Sequence, residues 1–316
     1  MKSQDFQMLV EQLGELSESQ RAALITTLTA GVSNDDAIAL IETRFAADPC
    51  CGHCRAKDLR TWGHASGMRR YKCQACQRTC NALTGTPLAQ LHRRDAWLDY
   101  ARALVNGVSL RKAAKRAGVC LGTSFRWRHR FLARAKDKRP ERLAGIVEAD
   151  ETLIRKSAKG SRRLVGRAPR LRGGKPKKTG TSPDDYDIIL IARDRHKATS
   201  DHILLDLEGR SFDAALDPIV ARDAVLVTDG RPCFVTFARN RGMPHVRLVA
   251  LKGERVKNGF HIQNVNAYAS RLKGWMARFK GVASKYLASY LGWRRMIELE
   301  GDRLTPHHFL AQVVGD

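Results

Sequence analysis

Three things are scarce in this chain. No apolar run approaches the roughly 20 residues that a helix needs to cross a bilayer, and the N-terminus lacks the basic, apolar and small-residue pattern of a secretory signal. Acidic residues are the third: 32 Asp and Glu stand against 56 Lys and Arg in 316 residues, a formal net charge of +24. The first two argue against a membrane or secreted protein. The third argues for a polyanionic partner, of which nucleic acid is the commonest. The surplus is spread through regions with folded patterning rather than gathered in a tail. Acids vanish altogether from residues 155–178, where every charged residue is Lys or Arg, among several Gly and two Pro. Such a segment resists packing and suits a basic arm along a phosphate backbone, with Arg162, Arg163, Lys177 and Lys178 as contacts, although a solvated loop has the same composition.

The eight cysteines include two C-x-x-C pairs, a usage that favours metal over disulfides and an intracellular, cytosolic setting, with a nuclear one left open. Cys51-Gly52-His53-Cys54 and Cys73-Gln74-Ala75-Cys76 match a tetrahedral structural zinc site of ribbon type, since each pair places two thiolates on one turn. So small a module buries little apolar area, so Zn²⁺ supplies its folding energy. Cys50 and His53 are alternative ligands, and Cys80 belongs to the packing. Four thiolates close the coordination sphere, which makes the zinc structural rather than catalytic.

The chain has room for one sizeable core and several small modules. Residues 1–47 read as short helices: Phe6, Leu9, Val10, Leu13 and Leu16 recur at helical spacing, Ser17 with Gln20 forms a capping box, and Ser33 or Asn34 caps a helix carrying Ile38, Ile41 and Phe45. Nothing there suggests chemistry; a packing or self-association module is expected. The zinc ribbon occupies 48–86. Over 87–140 a helix at 95–105 precedes Ser109 as an N-cap, an alanine-rich helix, Gly118 at a left-handed turn and a basic helix at 121–132 with Arg126, Arg128, His129 and Arg130. Helix, tight turn and basic helix form a helix-turn-helix, whose second helix enters the major groove of DNA; an ordinary hairpin with solvated arginines is the competing account.

The remainder, 141–316, alternates strands and helices and is expected to be a mixed α/β domain with helices against a central sheet. Strands are predicted near 145–152, 187–192, 200–207, 224–228 and 246–251, and helices at 212–220, 231–239, 264–279 and 286–293. Two strands deliver carboxylates: Ile146-Val147-Glu148-Ala149-Asp150 and Val225-Leu226-Val227-Thr228-Asp229-Gly230. An apolar run stopping at Asp-Gly is a buried strand whose acid emerges at its end. Two such carboxylates can hold a hard divalent cation such as Mg²⁺ or Mn²⁺.

Together with Arg70-Tyr71-Lys72-Cys73 and Thr84-Gly85-Thr86-Pro87, the stretches Val147 to Thr152, Val227 to Gly230 and His261-Ile262-Gln263-Asn264-Val265-Asn266 resemble a family of bacterial insertion-sequence transposases. In that family an N-terminal zinc ribbon precedes a ribonuclease-H-like DDE catalytic domain. The resemblance covers roughly residues 51–293. It implies that Asp150 and Asp229 are the first two catalytic acids, that Asn266 stands where most relatives place Glu, and that Lys273 is a basic residue further along the same helix. Asp150, Asp229 and Asn266 would bind Mg²⁺ or Mn²⁺ for two-metal phosphoryl transfer, with His261 orienting a ligand or a phosphate. Asn offers a cation an oxygen but no charge; a helix-capping role is its structural alternative. The resemblance also implies binding to the terminal inverted repeats and target DNA, strand cleavage and transfer, a homodimer or higher oligomer in the synaptic complex, and a bacterial, nucleoid-associated cytoplasmic location. A transposase-derived DNA-binding regulator without activity is the alternative, and Asn266 is its best argument.

Overall fold

The computed structural model describes residues 3–21, 24, 34–164, 185–249 and 253–315. These form two compact units: residues 1–131 with 300–316, and residues 132–299. The C-terminal residues, which the sequence reading runs into the sheet domain, therefore group with the N-terminal unit.

In the first unit, helices α1 (Ser3–Gln12) and α2 (Asn34–Ala47) precede a three-stranded antiparallel sheet of β1 (Leu59–Ala65), β2 (Met68–Cys73) and β3 (Thr79–Cys80). The expected capping box is present: the Ser17 amide donates to Gln20 Oε1 at 2.9 Å, and the Gln20 amide to Ser17 Oγ at 3.3 Å. Helix α2 buries Ile41 and sets Phe45 against Tyr71 of β2, with ring centroids 5.2 Å apart. Ser66 and Gly67 both take positive φ, which matches the turn to the twist of the β1–β2 hairpin.

Helices α3 (Trp97–Val105), α4 (Leu110–Arg116) and α5 (Leu121–Phe131) follow. Gly118 sits at φ 59°, the left-handed turn anticipated between α4 and α5. Ser109 occupies the cap position of α4, but its side chain makes no capping bond. The three helices close around Trp97, Tyr100, Trp127 and Phe131, all buried. Tyr100 Oη donates to the Ser124 carbonyl, and Ser124 Oγ donates to the Leu110 carbonyl at 3.1 Å. Helix α10 (Pro306–Val314) packs on α2 and α3 through an apolar face that includes Phe309, Leu310 and Val313. It starts on Thr305, whose hydroxyl accepts the His308 amide.

The second unit is built on a five-stranded sheet. Its strands are β4 (Ile146–Arg155), β5 (Tyr186–Asp194), β6 (Thr199–Leu204), β7 (Val225–Thr228) and β8 (His245–Arg247), in the order β6-β5-β4-β7-β8. Strands β4, β5 and β6 pair antiparallel, while β4–β7 and β7–β8 pair parallel. Helices α6 (Gly209–Leu216) and α7 (Pro232–Asn240) cover one face, where Val147, Ala149, Leu190 and Leu226 pack with Phe212, Phe234 and Phe237. Helix α8 (Gln263–Ala277) lies against β4 and β5, burying Val265, Tyr268, Leu272 and Trp275. Helix α9 (Leu287–Glu300) contributes Trp293 to an aromatic cluster with Trp275, Phe279 and Tyr290. A sheet covered on both faces explains why β5 is buried at nearly every position rather than alternately. The mixed α/β architecture expected of this region is the one observed.

The segment leading into this unit is pinned by a buried charge. Arg295 of α9 pairs with Asp201 of β6, and its Nη2 donates to the carbonyls of Lys136 and Lys138 at 3.1 and 3.0 Å. Tyr268 Oη donates to Asp201 at 3.2 Å.

Candidate active site and metal centres

The parallel pairing of β4 and β7 ends with Glu148 opposite Val227. Two residues further along the same register, Asp150 comes level with Asp229, just past the end of β7. The chain turns away there because Gly230 adopts φ 83°, a conformation that a side chain resists. A crevice at the carboxyl ends of parallel strands is where open α/β sheets place their ligand sites. The carboxylates are oriented by local backbone bonds: Asp150 Oδ1 accepts the Glu151 amide at 2.9 Å, and Asp229 Oδ1 accepts the Arg231 amide at 3.0 Å.

Glu151 joins them. Asp150, Glu151 and Asp229 each bring a carboxylate oxygen to within 4.8 Å of the others. Burial and the charge of Asp229 raise the Asp150 pKa to about 6, against the pull of Arg231 and Lys273. Burial likewise raises Glu151 to about 7; Arg231 opposes this shift, and Asp150 and Asp229 reinforce it. Three crowded, half-buried carboxylates are poor company for one another and a good donor set for a hard divalent cation.

The opposite wall is α8. A cleft of about 330 Å³ is lined by Asp150, Glu151 and Thr152 from β4 and by Val265, Asn266, Ala269, Ser270 and Lys273 from α8. Asn266 and Lys273 are seven residues apart, two turns of one helix, and so share the face turned to the cleft. Asn266 is not the helix cap. That role belongs to Glu148, fully buried on β4, which accepts the amides of Asn264 at 2.8 Å and Val265 at 3.1 Å and Asn264 Nδ2 at 2.8 Å. Glu148 and Asp150, two apart on one strand, share its α8-facing side, so a single strand both anchors the helix and supplies the acid. His261 Nε2 lies 2.8 Å from Arg195 Nη1, and its Nδ1 accepts the Gln263 amide at 3.2 Å. His261 is thus engaged beside Glu148 rather than lining the cleft.

Of the residues singled out from the sequence, Asp150, Asn266 and Lys273 line the cleft and Asp229 joins the acid cluster; Glu148 and Glu151 were not singled out. The signal was there: a Glu148-x-Asp150-Glu151 run of acids inside an otherwise apolar strand is too expensive to be accidental. Glu298 of α9 is taken up by Arg193, Arg271 and Arg294.

In the first unit, the sulfurs of Cys51, Cys54, Cys73 and Cys76 lie within 4.8 Å of one another. The Cys51–Cys76 and Cys54–Cys73 sulfurs are each 3.6 Å apart. Thiolates held at about 2.3 Å from zinc stand about 3.8 Å from each other in a tetrahedron, so the set fits Zn²⁺. Both knuckles turn alike: Arg55 and Gln77, each following the second cysteine of its pair, have φ of 65° and 57°. Burial resists ionisation of Cys51, but the amides of His53 and Cys54 and the neighbouring thiols outweigh it and draw its pKa down to about 6. Cys80 is buried beside this set, and its thiol is pushed up to about 11 chiefly by burial. His53 is exposed, with Nε2 3.2 Å from the Thr79 carbonyl, and Cys50 also stands outside the four.

The basic residues divide. Arg126 of α5 is exposed, as are Arg162 and Arg163. Arg128, expected at a DNA groove, is instead 1% exposed and donates to the Val108 carbonyl at 2.8 Å. Arg130 is exposed, yet its guanidinium is bound to the carbonyls of Pro87 at 2.5 Å and Ala89 at 2.7 Å. Arg128 falls inward because, on a helix packed along one face, it lies with Ser124, Trp127 and Phe131, whereas Arg130 stays outside and is held by the carbonyls of Pro87 and Ala89. Lys177 and Lys178 lie outside the described residues.

Residues 142–294 match the family model described as the ISXO2-like transposase domain. An uncharacterized protein in transposable element ISH50 of Halobacterium salinarum is 26% identical over 264 residues, which is 80% of this chain and 86% of that protein. The crystal structure of a pre-cleavage Mos1 transpososome aligns over 68% of this chain and 78% of its own, at 13% identity and a TM-score of 0.22, a likeness too weak to build on. The two sequence comparisons support a transposase, and the matched stretch contains Asp150, Asp229, Asn266 and Lys273.

Proposed function

We propose that this protein is an insertion-sequence transposase that binds the terminal inverted repeats of its element and cleaves and joins DNA strands at the cleft between β4 and α8. The observation that carries the reading is the convergence of Asp150 and Asp229, from two strands, in one acid cluster, with Asp150 lining a cleft shared with Asn266 and Lys273. The sheet order, three antiparallel strands continued by two parallel ones, supports a ribonuclease-H-like catalytic domain.

Asp150 and Asp229 would hold Mg²⁺ or Mn²⁺, with Asn266 adding an uncharged oxygen. Bound there, the cations supply activation of a water or a 3′-hydroxyl and stabilisation of the leaving oxygen. The chain's own contribution is positional. Glu148 fixes α8 against β4, the backbone amides of Glu151 and Arg231 orient the two Asp carboxylates, and Lys273 offers a cation to a substrate phosphate. The four-cysteine set is read as a structural zinc ribbon, and α4–α5 as a helix-turn-helix. With α5 presenting Arg126 and the basic segment presenting Arg162 and Arg163, these modules would engage duplex DNA, both element ends and target. Synapsis of two ends implies a dimer or larger assembly. Among the described residues no helix is long and apolar enough to cross a membrane, and a nucleoid-associated, cytoplasmic setting fits a DNA substrate.

The test is cleavage and joining of a labelled terminal-repeat duplex with Mg²⁺ or Mn²⁺. Asp150→Ala and Asp229→Ala are expected to lose both steps and keep end binding; Asn266→Ala is expected to lose most of the activity. Full cleavage by Asp229→Ala would remove the catalytic assignment. End binding without cleavage in the wild type would favour a transposase-derived regulator.

A further inference from the structure

Glu151 is nearly enclosed, its side chain 7% exposed, yet only one of its carboxylate oxygens is used. Oε1 is paired with the Arg231 guanidinium. Oε2 is buried without a hydrogen-bond partner. Buried carboxylate oxygens are almost always satisfied, because a bare one has lost its water and gained nothing. The surroundings sharpen the anomaly. Glu151 shares its cluster with Asp150 and Asp229 and lines the same cleft as Asn266. A carboxylate oxygen placed among like charges repels them unless something positive sits between.

Arg231 does not answer this need. Its guanidinium is committed to Oε1, while its backbone amide donates to Asp229 Oδ1 at 3.0 Å. One residue therefore ties together the two carboxylates that come from different strands, while Oε2 of Glu151 is left over. Asn266, across the cleft, has an amide oxygen to offer and no charge.

We propose that Glu151 is the third anionic ligand of the divalent-cation site, contributing through Oε2 the negative charge that Asn266 does not supply. The inference rests on the reading that Asp150 and Asp229 hold the cation. In chemical terms it restores the charge count that sets affinity for hard cations: three carboxylates and an amide oxygen, in place of two carboxylates and an amide. Arg231 becomes a positioning residue, gripping one oxygen of Glu151 while the other meets the metal. The competing accounts are a structural Glu151–Arg231 ion pair and a proton shared among the carboxylates, neither of which involves a metal.

The experiment is Mn²⁺ binding to the full-length protein by calorimetry, together with the Mn²⁺-induced rise in Tm. Glu151→Gln is expected to weaken Mn²⁺ binding by about tenfold or more, since loss of even an outer partner of a metal site costs 10–100-fold, and to shrink the Mn²⁺-induced rise in Tm in step. Asp150→Asn is the reference and is expected to lose binding. If Glu151→Gln lowers Tm equally with and without Mn²⁺ and keeps wild-type affinity, Glu151 is only the partner of Arg231 and the proposal is overturned, while the wider site survives through Asp150→Asn. If Asp150→Asn binds Mn²⁺ like the wild type, both readings fall. Should Glu151→Gln not fold, Glu151→Asp keeps the charge but shortens the reach. It is expected to bind Mn²⁺ more weakly, and wild-type affinity there overturns the proposal.

Discussion

Glu148 shows how much one residue can decide in this protein. It carries a charge into the middle of a strand, is fully buried, and is repaid with three hydrogen bonds from the start of α8. A carboxylate at a helix N-terminus meets both the unpaired amides and the positive end of the dipole. Removing it strands those amides in the interior. Glu148→Ala is therefore expected to destabilise the protein by about 2–4 kcal/mol, several times a neutral hydrogen bond, measured by denaturant unfolding. Because α8 carries Asn266 and Lys273, the same variant is expected to lose cleavage activity even where it remains folded. A stability change under about 0.5 kcal/mol, the size of an ordinary surface substitution, would refute the anchoring role.

At the scale of elements, β6 illustrates a conflict between strand position and side-chain chemistry. His202 pairs across to Leu190 of β5 and bonds Ser200 Oγ at 2.9 Å through Nε2. Burial, with Arg139 and Arg295 nearby, pushes its pKa down to about 4. The unfolded chain takes up this proton at a higher pH than the folded one does. Its stabilising share is thus complete above about pH 6.5 and is lost as the pH falls through 4. Wild-type Tm relative to that of His202→Gln is expected to decline over that window and to be flat above it; a difference unchanged between pH 7 and 4 would contradict the assignment. Helix α5 carries the opposite lesson. Its basic character was plain in the sequence, but which arginines point outward depended on how α3 and α4 pack against it. Arg128 went inside and Arg126 stayed out.

For the whole molecule, the dominant property is the charge of +24. Binding to duplex DNA is expected to weaken steeply with salt, log affinity against log salt falling with a slope of about 0.9 per phosphate engaged. Arg162→Ala with Arg163→Ala is expected to lower that slope by about one to two for all sequences, while Arg126→Ala is expected to alter preference among sequences. Titrations at several salt concentrations separate the two, and an unchanged slope in the double variant would make residues 162–163 bystanders.

Much of this was legible before any coordinates. Two C-x-x-C pairs announce a four-thiolate set, because a knuckle is a local structure whose geometry follows from its own few residues. Apolar runs ending on Asp150 and Asp229, and the helical spacing after Asn264, are local as well, and the strands and helices of the second unit lie close to where periodicity put them. The rest was long-range. That β4 and β7 run parallel in a register bringing Asp150 level with Asp229 depends on residues almost 80 positions apart. That Glu148 caps a helix more than 110 positions away, that Glu151 keeps one oxygen buried without a hydrogen-bond partner, and that residues 300–316 return to the N-terminal unit are likewise matters of tertiary packing. Sequence patterns record what each segment prefers by itself; which buried charge meets which partner is decided only when the sheet closes and every polar group it covers must be satisfied.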